Sequence, residues 1–264
     1  MMLDAIVLAA GLSERFREAG YGFKVVAPVD SIPLIVYPLV SLKASGISRI
    51  VIVANPENKH LLEEAIEEWF EDLNVRFIVN RDVSRENGYS LYLACRYVET
   101  DSFLVSMADH LYPHSIPRKL IEVGENMKWD VIVAGDRNPL YIDISEATLI
   151  NASDSRVLKV GKGLKRWKYV DAGVFLMKKS ILKILKNIVR ERHVVKLSDV
   201  LNTAIEMRYS VLVADITGIP WTELDSLEDY RSILYGVRRK VVEEVVKEWG
   251  KLLENVQMVQ SHAI

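Results

Sequence analysis

Small residues and positive charges follow the first apolar run of the chain. Residues 5–8 are apolar and of strand length, and residues 9–11 read Ala-Ala-Gly. Small residues at the carboxyl end of a strand let the backbone approach a ligand closely, and consecutive backbone N–H groups in a tight loop form an anion site. Arg15 adds a planar fork of donors, and Lys24 adds a compact point charge. These residues predict a loop that holds a phosphorylated ligand at the edge of a sheet.

A longer signature surrounds this loop. Residues 11–16 read G-L-S-E-R-F, Lys24 follows, and residues 28–35 read P-V-D-S-I-P-L-I. This order resembles the signature of the sugar-phosphate nucleotidyltransferase family and its cytidylyltransferase relatives. Phe23 stands where that family has proline and Ser31 where it has glycine, but neither departure removes a charged group. The pattern is not a Walker P-loop, which needs Gly-Lys-Ser/Thr at a helix start.

A second segment resembles the part of the family that holds the base and the ribose. Residues 87–90 read N-G-Y-S, a spelling similar to that of the inositol-phosphate cytidylyltransferases. Local signals alone predict a turn at Asn87 and Gly88 and place Ser90 in the first turn of the next helix. The alternative to a binding segment is therefore a simple helix start. The candidate nucleotide-binding residues are Leu8, Ala9, Ala10, Gly11, Ser13, Arg15, Lys24, Asn80, Asn87, Gly88 and Ser90.

Two aspartates are candidate ligands for Mg²⁺, the cofactor that the resemblance implies. Asp109 comes shortly after the apolar residues 101–107, and a carboxylate at the end of a strand suits a hard cation. Residues 221–229 read W-T-E-L-D-S-L-E-D and resemble the family's second metal motif, in which the first aspartate, here Asp225, is the ligand. The resemblance also gives the candidate catalytic residues, which are Arg15, Lys24 and Asp109.

Two histidines close to Asp109 raise the alternative of a zinc site. His110 and His114 lie four positions apart, but Pro113 interrupts any helix between them. A protein zinc site uses at least three side chains, and the sequence suggests no third ligand nearby. We therefore expect His110 to line the site or to pack locally.

The second half of the chain resembles the lobe that receives the phosphorylated acceptor in this family. Residues 136–148 read D-R-N-P-L-Y-I-D-I-S-E-A-T, which is again similar to the inositol-phosphate branch. A later stretch reads V-G-K, an insert, and V-D-A-G-V-F, and the resemblance assigns its Lys162 to the acceptor phosphate, with Lys159 and Lys165 as neighbouring alternatives. Asp143 could accept hydrogen bonds from polyol hydroxyls or be a solvated loop charge. The candidate acceptor-binding residues are Asp143, Lys162, Asp171 and Gly173.

Apolar strands alternate with amphipathic helices through most of the chain, and such alternation predicts an α/β fold. The resemblance makes it a Rossmann-like nucleotidyltransferase fold with a mostly parallel central sheet, flanking helices and an acceptor-binding lobe. We expect residues 1–235 to form the nucleotidyltransferase domain and residues 236–264 to form a C-terminal amphipathic helix. The apolar face of that helix is marked by Val237, Val241, Val242, Val245, Val246, Trp249, Leu252, Leu253 and Val256.

Three uses are consistent with the apolar face of that last helix. It could pack on the body of the protein, or it could form the contact of a homodimer. It could also dock to a membrane-embedded transferase partner, because the inositol branch of the family often continues into such a domain.

The bulk composition excludes several classes of protein. The net charge of the 264 residues is −2, so no global basic field indicates nucleic-acid binding. The one cysteine, Cys95, cannot form an internal disulfide and fits a reducing compartment. No signal peptide precedes the first strand, and no apolar run approaches the ~20 residues that span a bilayer. We therefore expect a cytoplasmic protein, and the scarcity of glutamine favours a thermophilic source.

The resemblance implies a Mg²⁺-dependent cytidylyltransferase that joins CTP and inositol 1-phosphate to give CDP-inositol and pyrophosphate, for synthesis of an inositol-phosphodiester solute. A sugar-1-phosphate or phosphocholine nucleotidyltransferase is the alternative within the same class. A catalytically silent nucleotide-binding regulatory subunit is the alternative of another class. Such subunits usually lose the metal aspartates or the loop cations, and here Arg15, Lys24, Asp109 and Asp225 are all present.

Overall fold

A nine-stranded sheet is the frame of the protein. The computed structural model describes residues 3–249. The strands are β1 (Asp4–Leu8), β2 (Pro28–Val29), β3 (Ile32–Pro33), β4 (Arg49–Ala54), β5 (Asn74–Val79), β6 (Ser102–Met107), β7 (His110–Leu111), β8 (Val131–Asp136), β9 (Leu149–Ser153), β10 (Arg156–Gly161), β11 (Tyr169–Lys178), β12 (Val211–Asp215) and β13 (Thr222–Glu223). The main sheet has the order β5-β4-β1-β6-β11-β8-β12-β10-β9.

The first half of the sheet is parallel. Strand β1 pairs with β4 on one side and β6 on the other, and β4 pairs with β5. Strand β1 is buried along its whole length, which suits a parallel strand that is covered on both faces and reads as a continuous apolar run. The apolar residues 5–8 and 101–107 are strands β1 and β6, to within one residue at either end.

The second half of the sheet is mixed. Strand β11 runs antiparallel to both β6 and β8, and β10 runs antiparallel to β12 and β9, whereas β8 and β12 are parallel. The connection between β9 and β10 is too short for a crossover, so these two strands pair as an antiparallel hairpin, and β11 runs antiparallel to β9 on its other side. The predicted α/β architecture is confirmed, with its parallel character concentrated in the first half of the chain.

Helices cover both faces of this sheet. They are α1 (Glu14–Glu18), α2 (Val36–Ala44), α3 (Lys59–Trp69), α4 (Glu86–Cys95), α5 (Ser115–Asn126), α6 (Ile181–Glu191), α7 (Leu197–Glu206), α8 (Leu227–Tyr235) and α9 (residues 239–249). One core joins Ala5 and Val7 to α2, α3, α5, α8 and α9, and the other joins Ile6 and Leu8 to α4, α6 and α7. Successive residues of a strand point to opposite faces, so β1 contributes to both cores. None of the helices within residues 3–249 is long and apolar enough to cross a bilayer.

The last described helix, α9, packs on the body of the protein. Val241, Val242, Val245 and Trp249 are buried in the first core, and the ring centroid of Trp249 lies 4.9 Å from that of Tyr37. Two valines assigned to the same apolar face, at positions 237 and 246, are exposed, because one precedes the helix and the other lies at the margin of the buried stripe. The apolar positions 252, 253 and 256 lie outside the described residues.

Candidate active site

The carboxyl ends of the parallel strands open into one cleft, where ligands of open α/β sheets bind. The cleft has a volume of about 1010 Å³, and its walls include the loop after β1, the segment after β5 and the segment after β6. The sequence-derived candidates that line it are Leu8, Ala9, Ala10, Gly11, Ser13, Arg15, Lys24, Asn80, Asn87, Ser90, Asp109, Asp143, Lys162 and Asp225. The candidates Gly88, Asp171 and Gly173 are not part of the lining.

Two buried asparagines hold the loop after β1 from the protein side. Asn55 Nδ2 donates to the carbonyl oxygens of Ala10 at 3.1 Å and Gly11 at 3.2 Å, and Asn58 Nδ2 donates to that of Ala9 at 2.8 Å. Both asparagine side chains are fully buried, at the end of β4 and the start of α3. Carbonyl oxygens repel anions, so engaging them from behind favours phosphate at the cleft side of the loop.

The same loop continues through Ser13 and Arg15. Ser13 has a left-handed backbone with φ 55°, and its Oγ accepts a hydrogen bond from the backbone N–H of Lys24 at 3.2 Å. Arg15 lies on the cleft wall with an exposed side chain, and it forms no ion pair with any residue between 3 and 249. Its guanidinium is therefore available to a phosphate.

Lys24 lies between the two aspartates that the sequence predicts as metal ligands. Its Nζ is 2.6 Å from Asp109 Oδ2 and 2.8 Å from Asp225 Oδ1. Burial disfavours the ammonium charge, but the charges and hydrogen bonds of the two carboxylates outweigh it and raise the pKa of Lys24. Burial likewise opposes the charge of Asp109, yet Lys24 and His110 lower the pKa of that carboxyl far below its usual range. Lys24 and Asp109 are therefore both charged at neutral pH.

A two-stranded sheet brings the two aspartates together although they are far apart in the chain. Strand β13 pairs antiparallel with β7, and the backbone N–H of Leu224 donates to the carbonyl oxygen of Asp109 at 2.9 Å. Asp109 immediately precedes β7, and Asp225 follows β13 by two positions. The antiparallel pairing therefore places both carboxylates on the same wall of the cleft.

His110 is held against Asp109 and does not pair with His114. Its Nδ1 donates to Asp109 Oδ1 at 2.8 Å, its Nε2 faces Glu223 Oε2 at 3.4 Å, and its ring stacks on Trp221. Burial lowers the pKa of His110, but the bond to Asp109 and the nearby carboxylates raise it to about 9. His114 instead pairs with Glu248 of α9. The two histidines thus serve different contacts.

Asp109 and Asp225 have the donor chemistry that Mg²⁺ takes. Their carboxylate oxygens meet at a single cationic group, the ammonium of Lys24. Mg²⁺ is commonly held by one or two carboxylates, with waters and substrate phosphates completing its shell. Within residues 3–249, no three His, Cys, Asp or Glu side chains are arranged to hold a metal by themselves. The pair therefore fits a cation that is shared with a phosphorylated ligand.

The opposite wall carries the candidates for base and ribose. Asn80 is buried after β5, and its Nδ2 donates to Ser90 Oγ at 2.9 Å. Asn87 Oδ1 accepts a hydrogen bond from the backbone N–H of Leu197 at 2.7 Å, so this side chain also supports the start of α7. Each of these polar groups lines the cleft while one of its hydrogen bonds is already made.

Gly88 lies within helix α4 and away from the cleft surface. The local signals predicted a turn at Asn87 and Gly88, whereas the structure begins the helix at Glu86. A Cβ at Gly88 would lie 2.7 Å from the carbonyl oxygen of Val195, which accepts a hydrogen bond from the Gly88 N–H. The glycine is required by close packing of the segment before α7.

The acceptor side of the cleft carries Lys162 and Asp143. Lys162 is exposed, with its Nζ 3.6 Å from Glu146 Oε2. Asp143 accepts hydrogen bonds from the N–H and hydroxyl of Ser145, so it caps a loop turn as well as lining the cleft. Lys159 and Lys165 do not line the cleft. Of the three lysines, Lys162 is the one that lines the cleft.

Asp171 and Gly173 lie at an irregularity of strand β11, behind the cleft wall. Asp171 Oδ1 accepts a hydrogen bond from the N–H of Gly173 at 2.9 Å. Gly173 has φ 70°, and a Cβ there would lie 2.6 Å from the ring of His110. The close approach that this glycine permits is therefore to His110, and burial raises the pKa of Asp171 to about 7.

Comparison with known proteins identifies the family. Residues 5–198 match the MobA-like NTP transferase domain, which is more than half of the chain. The chain belongs to the MobA-like NTP transferase family. The matched residues include the loop after β1, Lys24 and Asp109, whereas Asp225 lies beyond them. Members of this family are nucleotidyltransferases, and their fold is the one described above.

Individual relatives of this nucleotidyltransferase carry more specific names. It is 30% identical over 93% of its length to the "Bifunctional IPC transferase and DIPP synthase" of Thermococcus kodakarensis, and 31% identical over 94% to the protein of that name from Rubrobacter xylanophilus. The chain covers 52% and 53% of these two relatives, so it spans about half of their length. Among solved structures, the inositol-1-phosphate CTP transferase from T. maritima matches with a TM-score of 0.82 and 29% identity, covering 92% of this chain and 98% of that one.

Several residues at the site of this nucleotidyltransferase carried no sequence signal that we used. Asn55 and Asn58 follow strand β4, where polar residues at the carboxyl end of a parallel strand could have marked them. Arg238 lies beyond the segment that resembles the family and lines the cleft next to Asp229. Its position depends on how α9 returns to the body, which the local pattern does not encode.

Proposed function

We propose that this chain transfers the cytidylyl group of CTP to inositol 1-phosphate and releases pyrophosphate, giving CDP-inositol. The observation that carries the proposal is the match to the inositol-1-phosphate CTP transferase of T. maritima, which extends over 92% of the chain at 29% identity. The names of the curated relatives agree with it. The cleft has a volume of about 1010 Å³, and its lining includes the cationic side chains of Arg15, Lys24 and Lys162.

The loop after β1 is the proposed seat of the triphosphate. Its backbone is held by Asn55 and Asn58, and Arg15 offers an exposed guanidinium beside it. An ammonium has three donors, and Lys24 uses two of them on Asp109 and Asp225. The third can meet a phosphate oxygen without any loss of the existing contacts. On the facing wall, Asn80, Asn87 and Ser90 are the proposed contacts of base and ribose.

The reaction requires the protein to position the reactants and to neutralise charge, and it does not require a general base. A phosphate oxygen of the acceptor attacks the α-phosphorus of CTP in line. A new P–O bond forms as the bond from the α-phosphorus to the bridging oxygen breaks, and the electron pair leaves with pyrophosphate. A phosphate monoester is largely ionised at neutral pH, so no proton has to be removed from the nucleophile. Lys162 orients the acceptor phosphate, and Lys24 and Arg15 stabilise the charge of the transferred group.

Asp109 and Asp225 are the proposed ligands of Mg²⁺. When bound there, the cation supplies neutralisation of phosphate charge. Lys24 and His110 lower the pKa of Asp109, so this carboxylate is ionised and ready for a cation at neutral pH. Asp143 is proposed to accept hydrogen bonds from acceptor hydroxyls. Asp171 and Gly173 act indirectly, by shaping the wall around His110.

The experiment is pyrophosphate release with CTP and Mg²⁺ against inositol 1-phosphate, glucose 1-phosphate and phosphocholine, with the nucleotide product identified by mass. We expect release with inositol 1-phosphate and a product of the mass of CDP-inositol. Preferential turnover of glucose 1-phosphate or phosphocholine would reassign the chain to one of the rival nucleotidyltransferases. Binding of CTP with no release for any acceptor would favour the silent regulatory subunit.

The proposal extends to the surroundings of the enzyme. CTP and Mg²⁺ are cytoplasmic reactants, so the cytoplasm is the proposed compartment. A CDP-linked alcohol is an activated donor, and the class of enzyme that consumes it transfers the alcohol phosphate to a second hydroxyl compound. A membrane-embedded transferase is the partner that we propose for this step in making an inositol-phosphodiester solute. A homodimer is the alternative partner that we propose for the apolar positions 252, 253 and 256.

A further inference from the structure

We infer that Arg238 is a positioning residue, which holds the loop of Asp225 in place through Asp229. The inference rests on the proposed role of Asp225 as a cation ligand. It links helix α9, outside the segment matched by the family, to the reacting end of the cleft.

The loop that carries Asp225 depends on contacts from elsewhere. Asp225 lies between the two-residue strand β13 and helix α8, and 48% of its side chain is exposed. Asp229 Oδ2 accepts hydrogen bonds from the backbone N–H groups of Asp225 at 3.1 Å and Ser226 at 2.8 Å. The orientation of the Asp225 backbone is thus fixed by one carboxylate oxygen of Asp229.

Arg238 engages the other oxygen of that carboxylate. Its Nη1 is 2.7 Å from Asp229 Oδ1, and it also donates to the carbonyl oxygen of Glu223 at 3.1 Å. One guanidinium therefore contacts the loop on both sides of Asp225, before it at Glu223 and after it at Asp229. Both contacts are made by one nitrogen, Nη1, whose two N–H groups can point at the two acceptors, and the guanidinium that carries it is permanently charged.

The pair is shielded from solvent, which separates it from an ordinary surface ion pair. The side chains of Arg238 and Asp229 are 11% and 12% exposed. Exposed pairs contribute little, but removal of one partner of a buried pair leaves an uncompensated charge that the structure must move to solvate. The expected response to loss of Arg238 is a displacement of Asp229 and of the backbone that it holds.

The neighbouring arginine provides a matched control. Arg239 follows it directly as the first residue of α9, but it pairs with Asp30 of the β2–β3 turn and with Glu243, and it does not line the cleft. Its side chain is 35% exposed. Arg239→Gln therefore removes the ion pairs of a neighbouring arginine without touching the loop of Asp225.

The test measures cation binding and turnover on the full chain. The variants are Arg238→Gln, Arg238→Lys, Asp229→Asn, the double variant of the two positions, and Arg239→Gln. Mn²⁺ binding is measured by calorimetry without substrates, pyrophosphate release gives kcat and KM, and thermal unfolding verifies that each variant is folded. Asp229→Asn separates positioning from direct substrate contact, because it leaves Arg238 free to meet a ligand.

We expect Arg238→Gln and Asp229→Asn each to weaken Mn²⁺ binding and to lower kcat by on the order of tenfold. The double variant should be no worse than the more severe single variant, because both substitutions break the same contact. Arg239→Gln should bind Mn²⁺ and turn over as the wild type does. Arg238→Lys should recover part of the loss. Unchanged Mn²⁺ affinity in folded Arg238→Gln, additive losses in the double variant, or no Mn²⁺ binding by the wild type would each overturn the inference. A wild type that binds Mn²⁺ but releases no pyrophosphate would instead reject the proposed function.

Discussion

The charge of a single lysine organises the reacting end of the cleft. Lys24 contacts Asp109 and Asp225 at once, so two carboxylates approach each other without net repulsion. The same geometry raises the pKa of Lys24 and lowers that of Asp109, so both groups keep their charge. The two carboxylates suit a cation, and the lysine can meet the phosphate that accompanies it.

Asp109→Asn tests this arrangement with little change of shape. We expect kcat for pyrophosphate release to fall by about 10²-fold or more, because the electrostatic contribution of one such group is ~3 kcal/mol. The protein should remain folded, since Lys24 keeps Asp225 as a partner. Steady-state kinetics and thermal unfolding are the measurements. Asp72→Asn, which removes an exposed ion pair with Lys43, is the matched control and should be unaffected. Near-normal activity in Asp109→Asn would remove the metal and catalytic assignments of this residue.

Asp171 gives the stability of the protein a defined pH dependence. Burial raises its pKa to about 7, although the N–H of Gly173 opposes the shift. Between the ordinary value near 3.8 and 7, the folded protein keeps a proton that the unfolded chain releases. The contribution of this group to the free energy of unfolding therefore falls as the pH rises through that window.

Asp171→Asn should remove this pH dependence. The variant side chain is neutral at all pH values and can still accept the hydrogen bond from Gly173. We expect wild type and variant to be equally stable at about pH 4.5, with the variant more stable at pH 8 by about 3 kcal/mol. Urea unfolding across the pH range is the measurement. Parallel stability curves for the two proteins would show that Asp171 is ionised in the folded state at neutral pH.

At the scale of elements, the site depends on how segments after one strand support those after another. The start of α3, through Asn55 and Asn58, holds the loop after β1, and β13 holds the segment after β6 by pairing with β7. The local sequence pattern predicted the strands and the residues that face the cleft. It could not predict these supports, because the partner of each asparagine is a backbone carbonyl elsewhere in the chain.

The glycines show the same limit of sequence reasoning. Gly88 and Gly173 occupy positions that resemble substrate-contacting segments of the family, and a glycine is required at both. The space that a Cβ would need at each glycine is occupied by the protein itself, by Val195 next to Gly88 and by His110 next to Gly173. A sequence shows that the backbone must be approached closely, but only the fold identifies what approaches it.

Asn55→Ala tests the support of the loop after β1. The substitution leaves the buried carbonyl group of Ala10 and the carbonyl group of Gly11 without their donor, so we expect a loss of about 1–3 kcal/mol in the free energy of unfolding. We also expect the KM for CTP to rise by on the order of tenfold, with a smaller change in kcat, because the loop binds rather than reacts. Asn126→Ala, in which an exposed side chain donates to Glu122 within one helix, is the control. An unchanged KM would place the nucleotide phosphates elsewhere.

The whole molecule joins a parallel half that forms the loop after β1 to a mixed half that carries the acceptor side. Strand β11 is the shared element, since it lies between β6 and β8 and borders the wall behind His110. Helix α9 packs on the first core, and Arg238, the residue that directly precedes it, contacts the loop of Asp225. The sequence suggested a boundary at residue 235, whereas the described part of α9 shares its core with β1 and α2.

Trp249→Ala tests whether α9 and the body unfold as one unit. Trp249 is 8% exposed and packs against Tyr37, so its truncation should cost about 3–5 kcal/mol. If α9 is integral to the core, that loss appears as a lower midpoint of a single urea transition with an unchanged slope.

Trp69→Ala, which truncates a tryptophan that is 40% exposed on α3, is the control and should shift the midpoint much less. Circular dichroism and pyrophosphate release followed on the same samples should lose signal together, because the helix that carries Trp249 also holds the loop of Asp225. A separate early transition of small amplitude, with activity retained beyond it, would show that the helix is an independent appendage and that the boundary at residue 235 is real.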